Sequence, residues 1–275
     1  MTREQERAKA RRRQEKLDAK AAQRAREAAR NRQAAIVVVA VLIVVAGFVF
    51  LSKQLGSTTP PAAARSTAAA TTPAATTSAT TTAVAGCTAP PARPTTIKTQ
   101  ALPAKATAAG KTFIAVVKTN CGPITLRLDG TKAAQTVASF VALSTSGYYA
   151  GSPCHRVTTS GIFVLQCGDP LGGQGTGPGY SYGIENAPKN GVYPKGTLAM
   201  ARTSDPHSNA DQFFIVYKNT TLPTEGGGYS IFGTVTGGMD IVEKIAAAGA
   251  SGGSGDGAPN APISILSVAV TQKKA

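Results

Sequence analysis

Residues 154–170 read Cys154-His-Arg-Val-Thr-Thr-Ser-Gly-Ile-Phe-Val-Leu-Gln-Cys-Gly-Asp-Pro170. Two strand-like runs, 154–157 and 163–166, flank a Thr/Ser/Gly turn at 158–162. Aromatic and β-branched residues favour a pleated surface, whereas Ser and Gly favour reversals. Toward the N-terminus, 113–119 reads as a strand, Asn120-Cys-Gly-Pro123 as a turn and 124–128 as the returning strand. Residues 133–143 place Ala133, Val137, Phe140 and Val141 on one helical face. Toward the C-terminus, strands are expected around 198–201, 213–216 and 230–235, then a helix over 239–248 and a closing strand over 263–271. Many short strands, Gly/Pro-rich loops and two helices predict a mainly β, closed antiparallel barrel. Strands and helices do not alternate, which argues against a parallel α/β sheet.

The 275 residues carry a formal net charge of +15, unevenly spread. Residues 1–33 hold 12 basic and 5 acidic side chains, 52–111 hold six basic and no acidic ones, and 112–275 hold 11 basic and 9 acidic. The folded part is therefore nearly neutral, which argues against a basic domain wrapped on nucleic acid. Residues 34–51 are 18 uncharged, mostly aliphatic residues. As a helix they span ~27 Å, close to the ~30 Å hydrocarbon layer. A cleaved signal peptide is the rival reading, but its apolar core is shorter and its basic flank briefer. A buried core helix is disfavoured because every face is apolar. The basic flank places the N-terminus in the cytoplasm and the rest of the chain outside. The domain scheme is a basic cytoplasmic tail (1–33), a transmembrane helix (34–51), a disordered Ala/Thr/Pro-rich linker (52–110) and a globular domain (111–275). Val84-Ala85-Gly86-Cys87 looks like a lipoprotein processing box, but it lies too far from the apolar run and is read as chance.

The 154–170 stretch resembles the signature of cyclophilin-type peptidyl-prolyl cis-trans isomerases: Phe-His-Arg, a short turn, then Phe-Met-x-Gln-Gly-Gly-Asp. Gly196-Thr-Leu-Ala-Met-Ala201, Asp211-Gln-Phe-Phe-Ile215, Leu222 and Ile231-Phe-Gly-Thr-Val235 agree in order and spacing, so the resemblance runs from about 112 to 271. It implies a closed eight-stranded antiparallel cyclophilin-like barrel with two helices, in a membrane-anchored bacterial, actinobacterial-like member. It implies isomerisation of X–Pro bonds in exported or envelope polypeptides, without cofactor or metal, by a monomer held in the cell membrane through one N-terminal helix. No nucleic-acid partner is expected. A non-catalytic proline-peptide-binding module or holdase is the alternative. A third reading makes the basic tail the functional part.

By the same resemblance, Arg156 donates to the prolyl nitrogen, and Gln166 binds the substrate carbonyl and orients the arginine. Phe163, Val164, Phe214 and Leu222 wall the proline pocket, and Gln212 adds a polar contact. Ala201 and Arg202 offer backbone at a strand edge, and Tyr229 closes the pocket. This chain departs from the pattern in several places. Ten steps separate Arg156 from Gln166 where eight are usual, Val164 replaces Met, Arg202 replaces Asn, Tyr229 replaces His and Thr221 replaces Trp. The last change implies weak binding of cyclosporin.

The Gly-rich run 173–179 precedes no helical pattern and is not a phosphate loop. No CxxC is present, so a zinc site is not expected, and His155 is expected to be a structural hydrogen-bonder. Cys87, Cys121, Cys154 and Cys167 allow three disulfide connectivities. Cys154 and Cys167 flank the motif hairpin and are expected to pair, leaving Cys87 with Cys121; free cysteines are the alternative.

Overall fold

The computed structural model describes residues 84–274. The expected tail, membrane helix and first half of the linker lie outside the described residues, among which no helix is long and apolar enough to cross a membrane. The strands are β1 (Thr112–Thr119), β2 (Gly122–Asp129), β3 (Arg156–Thr158), β4 (Val164–Cys167), β5 (Val192–Tyr193), β6 (Thr197–Met200), β7 (Phe213–Val216), β8 (Thr220–Thr221), β9 (Ile231–Gly237), β10 (Asp256–Gly257) and β11 (Ile265–Gln272). Helix α1 spans Ala134–Thr145 and α2 spans Met239–Ala247.

Nine strands form one curled antiparallel sheet in the order β10-β3-β4-β7-β6-β9-β2-β1-β11. The period of two decides which side chains are buried: Phe113, Ala115 and Val117 of β1 and Ile124, Leu126 and Leu128 of β2 turn inward. Strands β4, β6 and β7 lie mid-sheet and bury both faces. Leu165, Leu198, Phe213 and Ile215 join the main core, whereas Val164, Ala199, Phe214 and Val216 form a second apolar cluster behind them. Phe140 of α1 centres the main core, with ring centroids 5.4–5.5 Å from Tyr149, Phe213 and Phe232. Strands β5 and β8 make a separate two-stranded ribbon.

The expected closed eight-stranded barrel is corrected to this open, nine-stranded curl, whose end strands β10 and β11 do not pair. The outer edge of β3 is occupied by β10, with Asp256 opposite Thr158 and Gly257 opposite Val157. The approach to β11 therefore reaches only the chain ahead of β3, through an isolated Pro153–Ser264 bridge and the Cys154 N–H donating to Ile263 O at 2.9 Å. Pro153 has no N–H with which to extend that ladder.

The expected linker over 52–110 is likewise corrected in its last part. From Val84 the chain lies along the folded domain, with Val84, Cys87 and Ile97 packed on the main core. The Thr88 N–H donates to Asn120 O at 2.8 Å, Gln100 N–H donates to Pro178 O at 2.8 Å, and Arg93 Nη1 donates to Leu171 O at 3.2 Å. Low apolar content misled the sequence reading: a strap needs few apolar anchors when its backbone groups are paired by the domain. Cys87 is bonded to Cys121 in the β1–β2 turn, and Cys154, just ahead of β3, to Cys167 at the end of β4.

Helix α1 begins without a capping side chain at Ala133. Glu185, from a distant loop, supplies the cap: its carboxylate accepts from Gln135 N–H at 3.1 Å, Thr136 N–H at 2.8 Å and Thr136 Oγ1 at 3.0 Å, and pairs with Lys105 Nζ at 3.2 Å. Burial pushes this carboxyl up, but the backbone donors and Lys105 outweigh it and hold it below the ordinary carboxylate range. The positive end of the helix dipole acts in the same sense.

Two outcomes are expected. Glu185→Gln should cost about 1 kcal/mol at neutral pH, the usual worth of a cap. Because the folded carboxyl is depressed, that difference is fully present above the unfolded carboxylate range and disappears as pH falls through the folded value. Urea unfolding at pH 7 and pH 3 reads it, and an equal gap at both would refute the cap. Non-reducing peptide mapping should recover Cys87–Cys121 and Cys154–Cys167. Replacing Cys154 and Cys167 by Ser should lower stability by roughly 2–4 kcal/mol.

Candidate active site

The site is built on a row of cross-strand neighbours. Arg156 stands opposite Gln166, Gln166 opposite Phe214, and Phe214 opposite Ala199, across β3, β4, β7 and β6. Directly opposed residues of an antiparallel pair present their side chains on one face, so this register puts a cation, an amide and an aromatic ring side by side. The two extra residues between Arg156 and Gln166 fall in the turn beyond the ladder, and the pairing survives. Thr158 Oγ1 closes that turn by accepting from Val164 N–H at 3.0 Å.

A polar chain runs along the row. Asp256 accepts from both Nε and Nη2 of Arg156 at 2.7 Å. Arg156 Nη1 donates to Gln166 Oε1 at 3.2 Å, and Gln166 Nε2 donates to Gln212 Oε1 at 2.8 Å. Gln212 Nε2 reaches Asp169 Oδ2 at 3.4 Å. Asp169 is fully buried, and its carboxylate also accepts from Leu171 N–H at 2.8 Å and Gly175 N–H at 2.7 Å. Each amide oxygen faces a donor and each amide nitrogen an acceptor, so the side-chain orientations are mutually determined. The Asp256 hydrogen bonds raise the Arg156 guanidinium above its ordinary value, and Arg156 holds the Asp256 carboxyl below its own. Burial lowers the His155 imidazole, which leaves it neutral at pH 7 beside a permanent cation.

Beside this chain lies a cavity of about 380 Å³. Val164, Phe214, Leu222, Ile162 and Tyr229 provide its apolar surface, and Arg156, Gln166 and Gln212 its polar surface. The apolar side rests on the second cluster, in which Tyr193 is fully buried. The Tyr193 hydroxyl accepts from Tyr229 N–H at 2.8 Å, and the Tyr229 ring meets Phe214 edge-on at 5.8 Å. An adjoining cavity of about 330 Å³ shares Gln166, Ala201, Arg202 and Gln212. The two cavities share the wall formed by these four residues and lie side by side along the site.

Arg156, Val164, Gln166, Gln212, Phe214, Leu222 and Tyr229 are thus brought together. Phe163 is not: it faces Tyr217, at 6.0 Å between ring centroids, and Lys218 Nζ lies 4.4 Å over its ring. The strand period explains the correction, since stepping back by two from Gln166 and Val164 leads to Ile162. Ala201 and Arg202 line both cavities but do not form a strand edge. They follow β6, which is flanked by β7 and β9, and the Ala201 N–H already donates to Gln212 O at 2.9 Å. The Arg202 side chain is also engaged: Nε donates to Gly228 O, Nη1 to Thr203 O and Nη2 to Glu225 O, with the guanidinium 5.0 Å over the Tyr229 ring. Asp256 and Asp169 were missed as members of the site. Asp256 stands in a Gly/Ser loop 100 positions from Arg156, and no local pattern marks it.

Residues 114–270 match the family described as cyclophilin type peptidyl-prolyl cis-trans isomerase/CLD. A protein named probable peptidyl-prolyl cis-trans isomerase B from Mycobacterium tuberculosis is 38% identical over 200 residues, covering 67% of this chain and 63% of that protein. The chain therefore matches less than two thirds of the length of this relative. Peptidyl-prolyl cis-trans isomerase B of Escherichia coli is 38% identical over 139 residues, 46% of this chain and 80% of that protein. The crystal structure of a Cryptosporidium parvum cyclophilin-type isomerase superposes with a TM-score of 0.50 at 27% identity, covering 59% of this chain and 99% of that one. The family match takes in most of β1 through most of β11 and includes the whole Arg156–Gln166–Phe214–Ala199 row. The chain belongs to the cyclophilin-type peptidyl-prolyl cis-trans isomerase family.

Proposed function

We propose that this chain accelerates rotation about X–Pro bonds in exported or cell-envelope polypeptides. The barrier of about 18–20 kcal/mol arises from amide conjugation, and uncatalysed exchange takes tens to hundreds of seconds. No bond is made or broken, so the requirement is to bind the twisted, deconjugated amide more tightly than either planar form. The observation that carries the reading is the Arg156–Gln166 pair facing an apolar cavity lined by Phe214, Leu222 and Val164. The proline ring occupies that cavity. Twisting returns a lone pair to the prolyl nitrogen, and Arg156 donates to it from a position already fixed by hydrogen bonds. Gln166 and Gln212 have fixed orientations from which to meet the peptide's polar groups. Ala201 and Arg202 line both cavities and give the extended chain a surface to lie on.

Residues 34–51 act in this reading as an uncleaved membrane anchor, with residues 1–33 in the cytoplasm and the isomerase domain outside. The two disulfides support an oxidising compartment for the domain.

In a protease-coupled assay on a blocked Ala-Pro peptide, Arg156→Ala should lower kcat/KM by roughly 10²-fold, the usual effect of losing a transition-state donor. Thermal melting should change little, because the side chain is half-exposed. Equal rates in the two proteins would instead favour a binding module without turnover. For topology, external protease added to cells expressing the full chain should degrade the isomerase domain and spare an N-terminal tag. Protection of both ends would exclude the proposed orientation.

A further inference from the structure

We propose that Asp256 is a positioning residue for catalysis, a carboxylate that holds the Arg156 guanidinium in the orientation from which it donates to the twisted amide. This inference rests on the isomerase reading. A guanidinium has five N–H groups. Asp256 takes one from Nε and one from Nη2, both at 2.7 Å, and Gln166 takes one from Nη1 at 3.2 Å. Two N–H groups remain, on the two terminal nitrogens of a side chain that lines the proline cavity. With Nε and both terminal nitrogens held, rotation about the end of the side chain is blocked before substrate arrives. The ordering cost is then met by the fold and not by the substrate.

The backbone supports the carboxylate in turn. Asp256 lies in β10, the short strand on the outer edge of β3, directly opposite Thr158. Thr159 N–H donates to Gly255 O at 2.7 Å, and Ser254 Oγ donates to Asp256 O at 2.7 Å. The loop before β10 turns through Gly252, Gly253 and Gly255, all at positive φ, where residues other than glycine are strained. These turns bring an acid from 100 residues away onto the catalytic hairpin. Together Asp256 and Asp169 end the polar chain with a carboxylate at each side, so that Arg156, Gln166 and Gln212 are held from both directions. The side chains of Arg156 and Asp256 are 37% and 53% exposed. A pair of that exposure is weakened by salt, because charges in contact with solvent are screened within about 3 Å at 1 M ionic strength.

The test uses the full-length chain in mild detergent and an uncharged blocked Ala-Pro peptide. D256N should lower kcat about tenfold while KM changes less than twofold, the pattern of an interaction lost only in the transition state. Wild-type kcat should fall between low salt and 1 M NaCl, and D256N should show no such fall. Unchanged or faster turnover in D256N would overturn the proposal, as would an effect confined to KM. A second readout does not need turnover. In ¹⁵N-arginine spectra the Arg156 Nε–H should give a sharp, slowly exchanging signal in wild type that is lost in D256N. A signal insensitive to the substitution overturns the positioning role. An inactive wild type would overturn the isomerase reading, leaving the Nε–H comparison to decide the orientation.

Discussion

Four strands in register hold Arg156, Gln166, Phe214 and Ala199 in one row. Most of the site follows from that alignment and from the fact that β4, β6 and β7 are covered on both faces. One face of each strand contributes to the main core around Phe140. The other carries the apolar cluster on which the cavity rests. A slip of one residue in β4 would exchange Val164 and Gln166 for Leu165 and Cys167 and turn the site inside out. Packing of the core therefore protects the register of the cavity, and the Cys154–Cys167 bond closes the same hairpin just outside the Arg156–Gln166 pair.

The polar chain along the row is costly to bury unless every member is satisfied. Satisfaction comes from both ends: Asp256 in solvent contact on one side, and Asp169, sealed by Leu171 N–H and Gly175 N–H, on the other. Between them the two glutamines have no freedom to flip without losing a partner. The result is a rigid polar edge beside an apolar hollow, which suits a reaction whose only demand is differential binding of a distorted amide.

Much of this was legible in the residues. Alternation in 113–119 and 124–128, the helical face of 133–143 and the motif strands all anticipate elements close to their observed bounds, because each is a local pattern of period two or 3.6. Arg156, Gln166, Gln212, Phe214 and Leu222 were legible because they sit at motif positions. What escaped depends on contacts between distant segments. Glu185 caps a helix 50 residues earlier, Asp256 meets Arg156 across 100 residues, and the strap from Val84 is fixed by backbone pairing that composition does not reveal. The assignment of Phe163 to the pocket followed a motif where the strand period pointed to Ile162. The closed barrel failed because β10 takes an edge of β3.

The Cys87–Cys121 bond, which ties the start of the strap to the β1–β2 turn, also sets where mechanical load enters the domain. A pull on the chain ahead of Cys87 passes through sulfur directly to the turn between β1 and β2, bypassing the strap between them. The strap, and the Gly-rich loop it covers beside Asp169, are thereby shielded from tension.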